Sequence, residues 1–307
     1  MYDDAIVVLD KRFDRYALAN AHVDELYRGT RWAEGPAYFP AGKYLLWSDI
    51  PNDRVLRYDE TSGQVSTFDD KCGNHNGHTV DREGRLISCE HRGRRISRVE
   101  LDGSVTTLVA DVDGKRLNSP NDVVVKSDGS IWFSDPTYGI DGDYEGDRAD
   151  SEIGGSHVWR HDPARGTTTA VATDFVKPNG LAFSPDEKLL YIADTGATHV
   201  QDGPRHIRVF NVAEDGGLSD GQVFAESTSG LFDGFRVDID GNLWSSAGDG
   251  VHCIAPDGTL IGKILTDEVV ANVEFGGPKR NRLYICATTS LQAMYVNTRM
   301  SPRPGSS

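Results

Sequence analysis

Six short segments of this chain share one pattern, a turn rich in Gly, Asp, Asn or Lys followed by an apolar or aromatic run that ends on a small or acidic residue. They read GKYLLWSD, GRLISCE, GSIWFSD, KLLYIAD, GNLWSSA and NRLYICA, ending at Asp49, Glu90, Asp135, Asp194, Ala247 and Ala287. The ends lie 41, 45, 59, 53 and 40 residues apart. That is the period of a four-stranded propeller blade with loop insertions. Before each segment stands another apolar run (AYF, HTV, DVVV, LAF, FRV, VEF), joined to it by turns such as KSDG, SPDE and DIDG. Asp and Gly accept the backbone angles of such hairpins. Helical periodicity of any length is missing, so the expected fold is an all-β, six-bladed propeller with four-stranded blades.

The same pattern assigns the ends of the chain. VDELY, residues 23 to 27, resembles a blade's outer strand but has no blade of its own. It should pair with the C-terminal strands around Met294 to Val296 and close the ring, which removes an exposed edge. The expected organisation is an N-terminal extension over 1–22 packed on the propeller, a single propeller over 23–297 and a disordered tail over 298–307. A length of 307 residues also suits two domains; the repeat decides for one.

The residue opening each innermost strand lies 14 or 15 positions before these segment ends: Glu34, Asn76, Asn121, Asn179, Asp233 and Asn272. They are one structural position repeated six times, at the mouth of the central channel. Four precede a glycine (Gly35, Gly77, Gly180, Gly234), which lets the backbone crowd the axis. Any one Asn-Gly or Asp-Gly is explained as a turn dipeptide. Six at equivalent positions, two of them acidic, point instead to an oxygen-rich site for a divalent cation. Ca²⁺ is the expected ion, with Mg²⁺, Mn²⁺ or Zn²⁺ as alternatives.

The formal charge of −15 suits a cation site and disfavours nucleic acid or anionic membranes as partners. The four cysteines, Cys72, Cys89, Cys253 and Cys286, show no paired spacing, so neither a disulfide framework nor a thiolate metal site is expected. The N-terminal run is too short and acidic for a signal peptide, and no run reaches transmembrane length, so a cytoplasmic location is expected. Most histidines read as surface or core residues; His75 and His78 flank Asn76, and His157 opens a strand.

Four segments, WAEGPAYF, NSPNDVVVKSDGSIWFSDPTYG, KPNGLAFSPD and FDGFRVDIDGNLW, together resemble the gluconolactonase, senescence-marker-protein and luciferin-regenerating family of six-bladed propellers. The resemblance covers about residues 20 to 295 and is nearest to bacterial gluconolactonases. It implies that Glu34, Asn179 and Asp233 bind the metal, with Asn121 a further ligand or substrate contact, and that Asp233 serves as general base. Some animal members carry Arg where this chain has Ser119, so sugar contacts made by that Arg do not carry over.

The implied activity is metal-dependent hydrolysis of a sugar lactone, D-glucono-1,5-lactone or a related aldonolactone. The metal polarises the carbonyl, and Asp233, or else Asp135, takes a proton from the attacking water. Asn76, Asn121, Tyr138 and His157 are the candidate contacts for substrate hydroxyls. Two other readings stand beside this one: an organophosphate or ester hydrolase on the same metal, and a non-catalytic calcium-binding scaffold. The long acidic segment 138–155 is either a lid over the mouth or a solvated loop.

Overall fold

The structure, a computed structural model, describes residues 2–301. The second strand of each blade is its most apolar and is buried along nearly its whole length, because it is covered by neighbouring blades on both sides. Tyr44–Asp49, Leu86–Glu90, Ile131–Asp135, Leu189–Asp194, Leu243–Ala247 and Arg282–Ala287 hold these positions. Trp47, Trp132 and Trp244 on them are fully buried. Outer strands have only one covered face, and Val65–Asp70 is mostly exposed. Each blade is an antiparallel sheet, and six such sheets form the propeller.

Ring closure follows the sequence expectation in kind. Asp24–Arg28 adds as the outer strand to Val270–Gly276, Arg282–Ala287 and Ser290–Tyr295, joining the two ends of the chain in one blade. The register differs from the expected one: Asp24 faces Ala293 and Arg28 faces Ser290, so the pairing lies earlier than Met294 to Val296. Met294 and Val296 are instead buried in the core beside Trp244 and Phe275.

The first residues make a contact that the repeat does not encode. Ile6–Val8 pairs with Leu260–Leu265 as a fifth strand on the fifth blade. Phe13 follows it into the core, its ring 5.9 Å from Trp244. The segment expected as a disordered tail begins with placed residues: Thr298 Oγ1 donates to Asp238 Oδ2 at 3.2 Å, and Met300 bridges to Asp238. The remainder of it, 302–307, lies outside the described residues.

Around the axis, neighbouring innermost strands are linked by main-chain hydrogen bonds. Gly77 N donates to Asn121 O at 2.7 Å, Gly180 N to Asp233 O at 3.1 Å, and Gly234 N to Ala271 O at 2.8 Å. A Cβ on Gly180 would stand 2.2 Å from Asp233 O and 2.8 Å from Gly234 Cα, both backbone atoms that cannot swing aside. Gly180→Ala is therefore expected to destabilise the fold by about 2–4 kcal/mol, as overpacking against a rigid neighbour does. Urea unfolding would measure it; a loss under about 0.5 kcal/mol would show that the ring gives way freely.

Candidate active site

The axial residues converge, but around a centre richer in acid than the repeat alone suggests. Glu34 and Asp122 are both buried, and the Asn272 amide reaches both, with Nδ2 2.9 Å from Glu34 Oε2 and 3.3 Å from Asp122 Oδ2. Asp122 stands where four of the six inner strands carry glycine, and that break in the dipeptide pattern was the signal available for it. Asp233 is the third acid. Gly234, the next residue, is packed against the Asn272 side chain.

Burial governs these acids first, and their mutual repulsion adds to it. Glu34 is pushed up to about 8 by desolvation, with Asp122 contributing. Asp233 is held well above the ordinary carboxylate range by burial, then by the negative charges of Glu34, Asp122 and Glu145. Burial also raises Asp122, against the pull of Arg236. The Arg236 guanidinium donates from Nε to Glu274 at 3.0 Å and from Nη2 to Pro36 O at 3.2 Å.

Arg236 and Glu274 also line a cavity of about 1570 Å³, which opens at the far end of the channel between loops carrying Pro40, Pro185 and Lys279. That cavity contains none of the axial acids and no candidate nucleophile or base poised over them, so size does not locate the chemistry here. The buried carboxylates do.

Asn179 sits beside Asp233 and donates a side-chain hydrogen bond that lowers it; its Nδ2 is also 3.2 Å from Thr195 Oγ1. The Asn121 side chain makes no hydrogen bond among the described residues, while its main-chain oxygen receives Gly77. Asn76 Oδ1 is buried without a partner. Glu34, Asp122, Asp233 and the oxygens of Asn76, Asn121 and Asn179 are therefore the groups that could hold a hard cation. Among the described residues no three His, Cys, Asp or Glu side chains are placed to ligate a metal by themselves. A cation here needs the amides as well as the acids.

Asp135 has a different position from the one a base requires. Its Oδ2 receives Asn118 N at 3.0 Å and Trp159 Nε1 at 3.3 Å, and its Oδ1 receives Ser119 N at 2.9 Å. Asp194 receives Val176 N and Lys177 N in the same way, and Asp49 receives Arg31 N. These repeated strand-end acids fasten the backbone that leads into the axial residue. Burial pushes Asp135 up to about 7, but both its oxygens are engaged.

Tyr138 opens a four-residue helix, Tyr138–Asp141, at the start of the long insertion. Its hydroxyl is within 2.7 Å of Thr195 Oγ1 and 2.9 Å of Thr198 Oγ1, so it ties the insertion to the fourth blade. His157 lies opposite Asp135 in the third blade, its ring 5.2 Å from Trp159 and its Nδ1 buried without a partner; no contact joins it to the axial acids among the described residues. The insertion contributes a residue that no periodic pattern could reveal: Glu145 is half-buried, is pushed up to about 7 by desolvation, and acts on Asp233.

Comparison with known proteins gives the family. The profile of the SMP-30/Gluconolactonase/LRE-like region matches residues 32–289. The chain belongs to this family. Within it, the gluconolactonase of Zymomonas mobilis is 28% identical over 318 residues, 95% of this chain and 86% of that one. The pentonolactonase of Haloferax volcanii is 33% identical over 267 residues, 83% of this chain and 81% of that one. The structure of a gluconolactonase from Xanthomonas campestris superposes with a TM-score of 0.89 at 38% identity, covering 95% of each chain. Family membership and the six-bladed architecture thus agree, and the four cysteines are free and buried.

Proposed function

We propose that this protein is a lactonase that hydrolyses a sugar lactone to its aldonic acid at the axial mouth, using a divalent cation held by Glu34, Asn179 and Asp233 with Asn121. One observation carries the reading: three carboxylates, the buried Glu34 and Asp122 and the half-buried Asp233, repel one another, and among the described residues Arg236 is the interior guanidinium that offsets Glu34 and Asp122. Such a cluster is costly without further positive charge. Its carboxylate and amide oxygens suit Ca²⁺ or Mg²⁺ more than a thiolate-seeking metal. Lactone relatives that match most of the chain supply the substrate class.

When bound, the cation supplies Lewis acidity at the lactone carbonyl. The residues do the rest. Asp233, ionised when the cation is bound, takes a proton from the attacking water. The new bond forms from that water to the carbonyl carbon. The ring C–O bond then breaks, and the proton passes from Asp233 to the departing ring oxygen. Asn76, whose Oδ1 is unpartnered among the described residues, and Asn121 orient substrate hydroxyls. Asp135 is left as a positioning residue, since its oxygens hold the 118–119 backbone.

The polar mouth favours sugars over apolar esters. Hydrolysis of D-glucono-1,5-lactone, followed with a pH indicator, is expected to exceed that of a phosphotriester by about a hundredfold or more in kcat/KM, the discrimination that buried polar groups impose. The reverse preference would replace the lactonase reading with the phosphotriesterase one. Among the described residues no helix is long and apolar enough to cross a membrane.

A further inference from the structure

The imidazole of His91 is buried between the 138–155 insertion and the axial ring. Its Nδ1 lies 3.2 Å from the main-chain oxygen of Glu145, and its Nε2 lies 3.1 Å from Asn76 Nδ2. A carbonyl oxygen can only accept, so Nδ1 carries the proton. Burial holds the ring neutral by pushing it down to about 4. Nε2 is then an acceptor, and the group it faces on Asn76 must be the NH₂. The other end of that amide, Oδ1, is turned away from the ring and is buried without a partner among the described residues.

The insertion is fixed at this point by several contacts. Gly139 is packed on His91, and its N–H donates to Ser119 Oγ at 2.9 Å. Gly146 fits against Gly139 O, where a Cβ would stand at 2.1 Å, and Ala149 N donates to Ile140 O at 3.1 Å. Arg92, next to His91, donates to Asp147 at 3.2 Å. The Glu145 carbonyl therefore meets His91 as part of a seated loop.

We propose that His91 is a positioning residue: the Glu145 carbonyl fixes its tautomer, and the tautomer fixes the Asn76 amide with its oxygen presented to the mouth as an acceptor for a lactone hydroxyl. The insertion thereby sets the polarity of one wall of the site without touching substrate through this residue. The hydroxyl as occupant rests on the lactonase reading; the tautomer and the amide orientation do not.

Two measurements test this. Long-range ¹H–¹⁵N correlation on the full chain with labelled histidine, His91 being assigned by its loss in His91→Gln, should show the Nδ1–H tautomer at neutral pH. An Nε2–H tautomer would overturn the proposal. In kinetics, His91→Gln keeps an acceptor for Asn76 and a donor for the carbonyl, so KM for the lactone should stay within about threefold of wild type. His91→Phe fills the space but removes both, and KM should rise about tenfold or more, with kcat changed less. A wild-type KM in His91→Phe, or equal losses in both variants, overturns it. If wild type hydrolyses no lactone, the lactonase reading falls while the tautomer result still decides the orientation of Asn76.

Discussion

Asp233→Asn is expected to lower kcat/KM for the lactone by about a thousandfold or more, the scale set by losing a positioned base. The substitution changes little else. Asp233 holds the ring through its main chain, accepting Gly180 N at 3.1 Å and donating to Ser246 Oγ at 2.8 Å, and Asn keeps both contacts. It also removes one of three mutually repelling acids, so the cation-free variant should melt no lower than cation-free wild type. Steady-state kinetics with added Ca²⁺, beside calorimetric titration of the ion, separate the two roles of this carboxylate. Weaker ion binding together with lost turnover fits a ligand that is also the base. Retained ion binding with unchanged turnover would remove Asp233 from proton transfer.

Stripping the cation is expected to reverse the usual effect of mild alkali on stability. Glu34 has its folded-state value near 8 against an ordinary 4.5. Between those values the folded chain keeps a proton that the unfolded chain has released. Stability then falls as pH rises through that window and levels off above it. Asp233 and Asp122, raised by the same burial, act in the same direction. In chelator, the melting temperature should therefore drop by roughly 5 °C or more between pH 5 and pH 8. Ca²⁺ binds the deprotonated form, so its stabilising effect should grow over the same range. Glu34→Gln removes one of these raised acids and should flatten the slope. Activity should fall about a hundredfold in chelator, return with added metal, and fail to return in Glu34→Ala. A cation-free melting temperature that stays constant from pH 5 to pH 8 would mean the acids carry no such strain.

Much of this protein is legible because a propeller repeats one local problem. Each blade must bury its second strand between neighbours, so Trp47, Trp132 and Trp244 recur in apolar runs at blade spacing. The axial residue recurs at a near-constant offset before them, which marks Glu34, Asn76, Asn121, Asn179, Asp233 and Asn272 as one position; the narrower set of Glu34, Asn179 and Asp233 came from the family resemblance. A periodic signal marks only what is the same in every blade. It makes Asp135 look like part of the chemistry, although repeated strand-end acids hold backbone N–H groups.

What departs from the repeat was settled by ring closure and by the insertions. Asn272 spans 238 positions to reach Glu34 and 150 to reach Asp122, distances over which local pattern carries no information. Asp122 lies beside the repeated position, and Glu145 and the carbonyl that meets His91 lie in the insertion that lengthens one interval to 59 residues. The sequence by itself determined the blades, their number and the residue type each presents to the axis, because hydrophobic periodicity and turn chemistry are local. Only the tertiary structure decided which acids crowd one another and which amides remain unpaired. Those properties depend on distance and solvent exclusion between groups that meet only when the ring is closed.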